Sequence, residues 1–237
     1  MTTGFFRQWT RWLVPFATFL LVFQLTGCGD KEAEQRKAFV DFLQNTAMRS
    51  SGRLPTLSED QKQKFGPLVS DYAILYGFSQ QLNRTLDTGV KPVVETLSAI
   101  RTPQDYLTQR DTLHQVSGAL TLATQQMQTA KMQAETSKAG LKQPDDLKAV
   151  YETVYNKVVL QPSTTFMPLL PALQTLCQNA VQAGDFLQQQ GSQVTFNGMN
   201  IQFPTQQQAA QYNALMASLS ASSQALNQAQ SLLQQGL

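Results

Sequence analysis

The sequence predicts an all-α protein: a single helical bundle of about six or seven helices with one small β-hairpin near residues 193–203, preceded by a signal-peptide helix. Three observations predict it. Apolar residues recur at three- and four-residue spacing along most of the chain, the period of a helix with one buried face. Capping residues followed by Pro, Asp, Glu or Gln mark helix starts at several points. Alternation of apolar and polar residues is confined to the two sides of Asn197-Gly198.

The N-terminal element is an export signal. Arg7 and Arg11 form a positive n-region without an acidic residue, and Leu13 to Leu25 is an apolar run broken by Pro15, Thr18 and Gln24. That run is shorter than the roughly 20 residues a spanning helix needs and fits a secretory h-region. Leu25-Thr26-Gly27-Cys28 closes it as a lipobox. Small side chains before the cysteine admit the signal peptidase, and the Cys28 sulfur takes a diacylglyceryl group. The amine freed by cleavage takes an N-acyl chain such as palmitate. One acyl chain anchors only marginally, whereas two or three hold the protein on the membrane. The chain thus divides into residues 1–27, a lipoprotein signal peptide, and 28–237, a mature lipid-anchored helical domain. Sorting depends on the residue after the cysteine, where Asp marks inner-membrane retention. Gly29 points instead to the inner leaflet of the outer membrane, facing the periplasm, and Asp30 keeps the inner membrane as the alternative.

The mature chain has 210 residues, enough for one substantial core. Without Arg7 and Arg11 the 18 basic residues become 16, against 16 acidic, so no basic field exists for nucleic acid. Only 14% of the chain is charged, against about 25% in a typical soluble domain. After Lys157 the only charged side chain is Asp185, and the surface there is written in glutamine, as at Gln188–Gln190 and Gln206–Gln208. Glutamine is a good helix former, so a solvated helix face explains these runs; a low-charge docking surface is the functional alternative.

The helices follow in order. Residues 30–49 carry Phe39, Phe42 and Leu43 on one face, either as a first bundle helix or as a membrane tether, and Ser50-Ser51-Gly52 ends them. Ser58 with Gln61 is a capping box that opens a second helix, and Gly66-Pro67 interrupts it. Val69, Tyr72, Ala73, Tyr76 and Leu82 or Leu86 continue one stripe, closed by Gly89 as a C-terminal glycine, with a short helix from Pro92 to about Ile100. Thr102-Pro103-Gln104-Asp105 starts a helix running to about Gly140, with Tyr106, Leu113, Leu120, Met127 and Ala134 seven apart. Pro144-Asp145-Asp146 opens another, carrying Leu147, Val150, Tyr151, Val154 and Val158, and Gln161–Thr164 reads as a loop. A helix from about Thr165 to Gln190 ends at Gly191. The hairpin follows, with Asn197-Gly198 as its turn, Phe196 facing Met199 and Val194 facing Ile201. A second capping box, Thr205 with Gln208, opens a last helix with Tyr212, Leu215, Leu219, Leu226 and Leu233 on one stripe.

Catalytic chemistry is sparse. One histidine, His114, excludes a site needing two His ligands, and it has no obvious acid partner in the sequence. Two cysteines exclude a disulfide-stapled scaffold and a cysteine-rich metal site. With Cys28 acylated, Cys177 is the remaining thiol, flanked by Leu173, Leu176 and Ala180 at helical spacing as a buried, inert group. Asp145-Asp146 and Glu59-Asp60 sit in first helical turns, where they complement the helix dipole. No metal spacing, phosphate loop or nucleophile elbow occurs, so no catalytic and no metal residue is assigned. Tyr72 to Phe78 is apolar on more than one face, as a central helix or as a groove for a lipid or apolar peptide, and Gly77 there permits close helix approach.

Several segments resemble the YiaF-type lipoproteins of enteric bacteria, a family filed as a domain of unknown function. They are Asp30-Lys31-Glu32, residues 35–46, Arg53-Leu54-Pro55-Thr56-Leu57, Phe65-Gly66-Pro67 and residues 69–77. Pro103-Gln104-Asp105-Tyr106, Asp145-Asp146-Leu147-Lys148 and Ile201-Gln202-Phe203-Pro204-Thr205 continue it, so it covers essentially the whole mature chain. The resemblance implies a membrane-attached lipoprotein, associated by name with resistance to colonisation in biofilms. It brings no catalytic residues and transfers only Cys28 to a named position. The expected function is a non-enzymatic binding or scaffolding role in the cell envelope. Expected partners are the membrane, through the diacylglyceryl and N-acyl groups on Cys28, and an envelope protein or peptidoglycan. No other cofactor and no nucleic acid are expected. Carriage of a lipid or other apolar ligand is the alternative, and an unrecognised hydrolase a third reading.

Overall fold

The computed structural model describes residues 29–50 and 52–235. The predicted signal peptide, its lipobox residues Leu25, Thr26 and Gly27, and Cys28 lie outside the described residues. The described chain is the predicted helical bundle with one two-stranded antiparallel hairpin.

Helix α1 spans 29–45 and is followed by a 3₁₀ turn, Ala47–Arg49. Its Phe39, Phe42 and Leu43 are buried, and the Phe42 ring meets Phe65 at 5.1 Å and Tyr72 at 5.2 Å between centroids. The first helix is therefore part of the bundle and not a tether. α2, Glu59–Phe65, starts at the predicted capping box: Ser58 Oγ accepts from Gln61 N–H and Gln61 Oε1 accepts from Ser58 N–H. A 3₁₀ turn at Gly66–Leu68 leads into α3, Val69–Thr85. Its buried line is Tyr72, Leu75, Phe78 and Leu82, with Ala73 exposed and Tyr76 half-buried, so the inward face is rotated from the predicted stripe.

Two expected helix ends are not ends. A π-turn at Leu86–Val90 carries the chain straight into α4, Lys91–Ala99, and another at Asn156–Leu160 joins α7, Asp145–Tyr155, to α8, Gln161–Phe166. Each π-turn sits just before an X-Pro pair, Lys91-Pro92 and Gln161-Pro162. The N–H of Lys91 bonds to Leu86 O and that of Gln161 to Asn156 O, five residues back. The wider turn gives the proline ring room beside the carbonyl it would strike in a regular helix. Gln161–Thr164 is thus helical and not a loop, and Gly89 is not a cap. Gly89 is buried against α6, where a Cβ would lie 2.7 Å from Ala123 Cβ.

α5, Pro103–Thr108, begins where the Asp105 carboxylate accepts from the N–H groups of Arg101 and Thr102, which hold its carboxyl below the ordinary range. A break at Gln109 separates it from α6, Arg110–Ala139. In α6 the predicted seven-residue series is buried: Leu113, Leu120 and Met127 are fully enclosed, and Ala134 nearly so. α6 packs against α3, α4 and α9, Leu169–Gln190, which ends at Gly191 with φ +55°.

Strands β1, Thr195–Asn197, and β2, Asn200–Gln202, pair Phe196 with Ile201 and Asn197 with Asn200. The turn residues are therefore Gly198 and Met199, and the expected Phe196–Met199 and Val194–Ile201 pairs do not form. Gly198 alone has positive φ, the pattern of a turn with glycine at its first central position. This register keeps Phe196 and Ile201 packed against Leu187, Val194 and Tyr212, while Met199 projects at the tip. α10, Gln206–Ser222, is capped by Thr205, but Gln208 bonds the Thr205 hydroxyl and not its backbone, so the second box is half formed. A break at Ser223 resets the phase. α11, Gln224–Gln235, buries Ala225 and Ala229, while Leu226 and Leu233 pack at the margin.

Gly89→Ala is expected to cost about 1–3 kcal/mol through overpacking against α6. Adding Ala123→Gly should restore most of the loss. Urea unfolding followed by far-UV circular dichroism reads both, since the two tryptophans, Trp9 and Trp12, precede the described residues and do not report on the bundle.

Candidate functional site

Three places in the bundle gather candidate chemistry. The first is an open groove of about 680 Å³ between α3 and α6. Ala73 and Gly77 from α3 and Ala130 and Ala134 from α6 line it, with Gln81, Gln126 and Gln133 around them and Arg84 at one end. Gln81 Nε2 donates to Gln126 Oε1 across it at 3.4 Å. The aromatic residues expected to form an apolar groove mostly turn the other way. Tyr72 is buried with its hydroxyl donating to Pro55 O, and the Tyr76 hydroxyl bonds Thr56 Oγ1; Phe78, almost fully buried, is the one aromatic that reaches the groove wall. Gly77 does not bring helices together, since a Cβ there would meet nothing within 4 Å; it opens the groove instead.

The second place is His114. It has an acid partner that sequence spacing does not reveal: its Nε2 lies 3.0 Å from Asp185 Oδ1, and Arg110 Nε donates to the same oxygen at 2.6 Å. Partial burial would raise the Asp185 carboxyl, but the bonds and charges of His114 and Arg110 outweigh it and hold the group below its ordinary value. The adjacent Gly184 lets α9 touch α5: a Cβ at this position would lie 2.6 Å from Tyr106 O, so no other residue fits. Arg110 and His114 thus fasten α6 to α9 through one oxygen of the Asp185 carboxylate. The sequence does carry one signal, a lone charge in an otherwise uncharged third of the chain.

The third place is Cys177, fully buried, with its thiol directed at Leu113 O at 3.8 Å. Burial pushes its pKa up to about 11, against a weaker opposing hydrogen bond from Ser117. The carboxylate pairs behave as helix-start residues. Glu59 and Asp60 pair with Lys62 and Lys64, and Asp146 pairs with Arg36 of α1 at 3.1 Å. Among the described residues no group of three or more His, Cys, Asp or Glu side chains is placed to hold a metal ion.

Comparison with known proteins adds the family. A family model described as "Protein of unknown function (DUF3053)" matches residues 16–234. The chain belongs to this family. It is 54% identical over 229 residues to "Uncharacterized protein YiaF" of Escherichia coli K12, covering 97% of this chain and 96% of that protein. The same figures hold for the protein of that name in Shigella flexneri. No solved structure matches significantly. The DUF3053 match begins inside the apolar N-terminal segment and runs through α11, so it takes in Cys28 together with the bundle.

Asp185→Asn should destabilise the fold by about 1 kcal/mol at neutral pH, the scale of a partly exposed ion pair. Because the folded carboxyl has the lower pKa, its contribution is complete above about pH 4 and is lost as pH falls through the folded value. Melting temperatures of the two proteins should therefore converge in acid. Cys177 should resist iodoacetamide at pH 8 in the folded protein and react fully in urea, as read by intact mass.

Proposed function

We propose that this DUF3053 protein is a lipid-anchored lipoprotein of the bacterial envelope with a binding or scaffolding role and no catalytic activity of its own. The observation that carries the reading is Leu25-Thr26-Gly27-Cys28 at the end of a basic-then-apolar leader, one residue before α1 begins. Among the described residues no helix is long and apolar enough to cross a membrane, so attachment rests on the acyl groups at Cys28. Gly29 favours the inner leaflet of the outer membrane, with the body in the periplasm; Asp30 leaves the inner membrane as the alternative.

A binding role draws support from the balance of 16 basic and 16 acidic residues after the leader and from the amide-rich surface, both suited to an envelope protein or to peptidoglycan and not to nucleic acid. His114, the one histidine, is tied up with Asp185 and Arg110 in joining two helices. The colonisation resistance that the family resemblance implies fits an envelope protein that acts through contact.

Cys28→Ala should abolish incorporation of radiolabelled palmitate and shift the protein out of its wild-type membrane fraction after sucrose-gradient separation. Membrane attachment and palmitate labelling equal to wild type would overturn the reading.

A further inference from the structure

The corner between α6 and α7 holds a cleft of about 510 Å³. Lys138, Lys142 and Lys148 stand around it, Leu141 and Leu160 give it apolar wall, and Tyr155 lines it. The acids nearby are already engaged. Glu135 pairs with Lys131 at 2.6 Å, and Glu152 pairs with Lys138 at 3.1 Å. Lys138 also lies 4.9 Å from the centre of the Tyr155 ring. Among the described residues neither Lys142 nor Lys148 has an acidic partner, so the cleft keeps two uncompensated cations.

A second observation points to a ligand in the same place. Tyr155 is 2% exposed, and its hydroxyl is buried without a hydrogen-bond partner among the described residues. A buried polar group left unmet is costly, so a hydroxyl of this kind marks a place where an incoming acceptor is stabilised. Burial, with the Glu135 charge adding to it, raises the phenol's pKa and keeps the proton available for donation.

The cleft also lies near the anchor. Asp146, two residues before Lys148, pairs with Arg36 of α1. Arg36 is eight residues from Cys28, about 12 Å along a helix. Leu160, exposed beside the lysines, matches a surface where apolar and charged groups meet.

We propose that this cleft binds the phosphate of a membrane-lipid headgroup, with Lys142 and Lys148 supplying charge and the Tyr155 hydroxyl a hydrogen bond. The phosphate chemistry rests on the cleft; only the lipid as its source rests on the anchoring reading.

The test uses the whole protein purified from membranes in a non-ionic detergent. Isothermal titration compares inorganic phosphate, a short-chain phosphatidylglycerol and a short-chain diacylglycerol without phosphate. Saturable one-to-one binding is expected for the two phosphate probes, tighter for the lipid, and none for diacylglycerol. Lys142→Gln with Lys148→Gln should weaken binding at least tenfold, and Tyr155→Phe severalfold, with circular dichroism unchanged. Inorganic phosphate binding as tightly as the lipid would overturn the headgroup assignment and leave a free-anion site. No saturable binding, or a double variant that binds as tightly as wild type, would overturn the proposal. Failure of the anchoring reading shows separately, in the fractionation of Cys28→Ala, and leaves phosphate titration of the cleft intact.

Discussion

The buried seam of α6 is the constraint on which the rest of the bundle depends. Leu113, Leu120, Met127 and Ala134 recur every seven residues, so one side of a 30-residue helix stays turned inward along its length. Each large member contributes about 1.5–3 kcal/mol of burial, and the set is shared by α3, α4 and α9 at once. A seam shared by three helices needs points of close approach. Gly89 supplies one such place against Ala123, and Gly184 supplies another where α9 meets Tyr106 of α5. Both glycines are required by space and not by backbone angle, since neither has positive φ.

Polar groups then fix which helix sits where. Asp71, buried on α3, accepts from Gln143 Nε2 at 2.6 Å, and its backbone carbonyl accepts from the Tyr151 hydroxyl at 2.9 Å, so α3 is registered against α7. Lys157 donates to the carbonyls of Met48 and Ser50 and thereby binds the end of the α1 segment to the second π-turn. Asp185 does the same work between α9 and α6. Hydrophobic burial alone is non-directional and would tolerate sliding of these rods; each of these contacts would be lost on a shift of one turn. A chain with so few charges thus spends several of them on registration between helices.

This division explains what is legible in the sequence. Local signals read well: the Ser58 box, the Thr102–Asp105 start, the α6 series and the Gly191 stop all depend on residues within a few positions of one another. The errors share a cause in non-local packing. Gly89 and Pro162 look like helix ends because a regular α-helix cannot pass them, whereas a π-turn can, and the core around Leu86, Val90 and Val159 rewards continuing. The hairpin register differs because Asn-Gly suggests a turn with positive φ at both residues. Packing of Phe196 and Ile201 against Tyr212 selects the Gly198-Met199 turn instead. Asp185 cannot be assigned to His114 from spacing, since 71 residues separate them. In the Tyr72–Phe78 segment the central-helix reading holds for Tyr72, Leu75 and Phe78, which are buried, while Ala73 and Gly77 face the groove, with Phe78 in its wall.

The start of α1 has a mechanical consequence for the anchoring proposed above. Helix is already present at residue 29, and Phe39 is the first fully buried side chain of α1. Roughly ten helical residues, about 15 Å, would separate acyl chains on Cys28 from the packed body. The stretch from Asp30 to Phe39 contains neither Gly nor Pro, so its stiffness is that of a helix and not of a coil. An anchor joined in this way would restrict reach: the body would stay beside the bilayer, and its partners would have to come to that layer. It would also limit the orientation of the body, because Arg36 pairs the exposed part of α1 with Asp146 at the start of α7. On the proposed anchoring the α6–α7 corner would face the membrane, whereas the hairpin packs on α5, α9 and α10. A bundle tethered as proposed would present two different ends to two different surroundings, lipid at one and the aqueous envelope at the other, without any moving part.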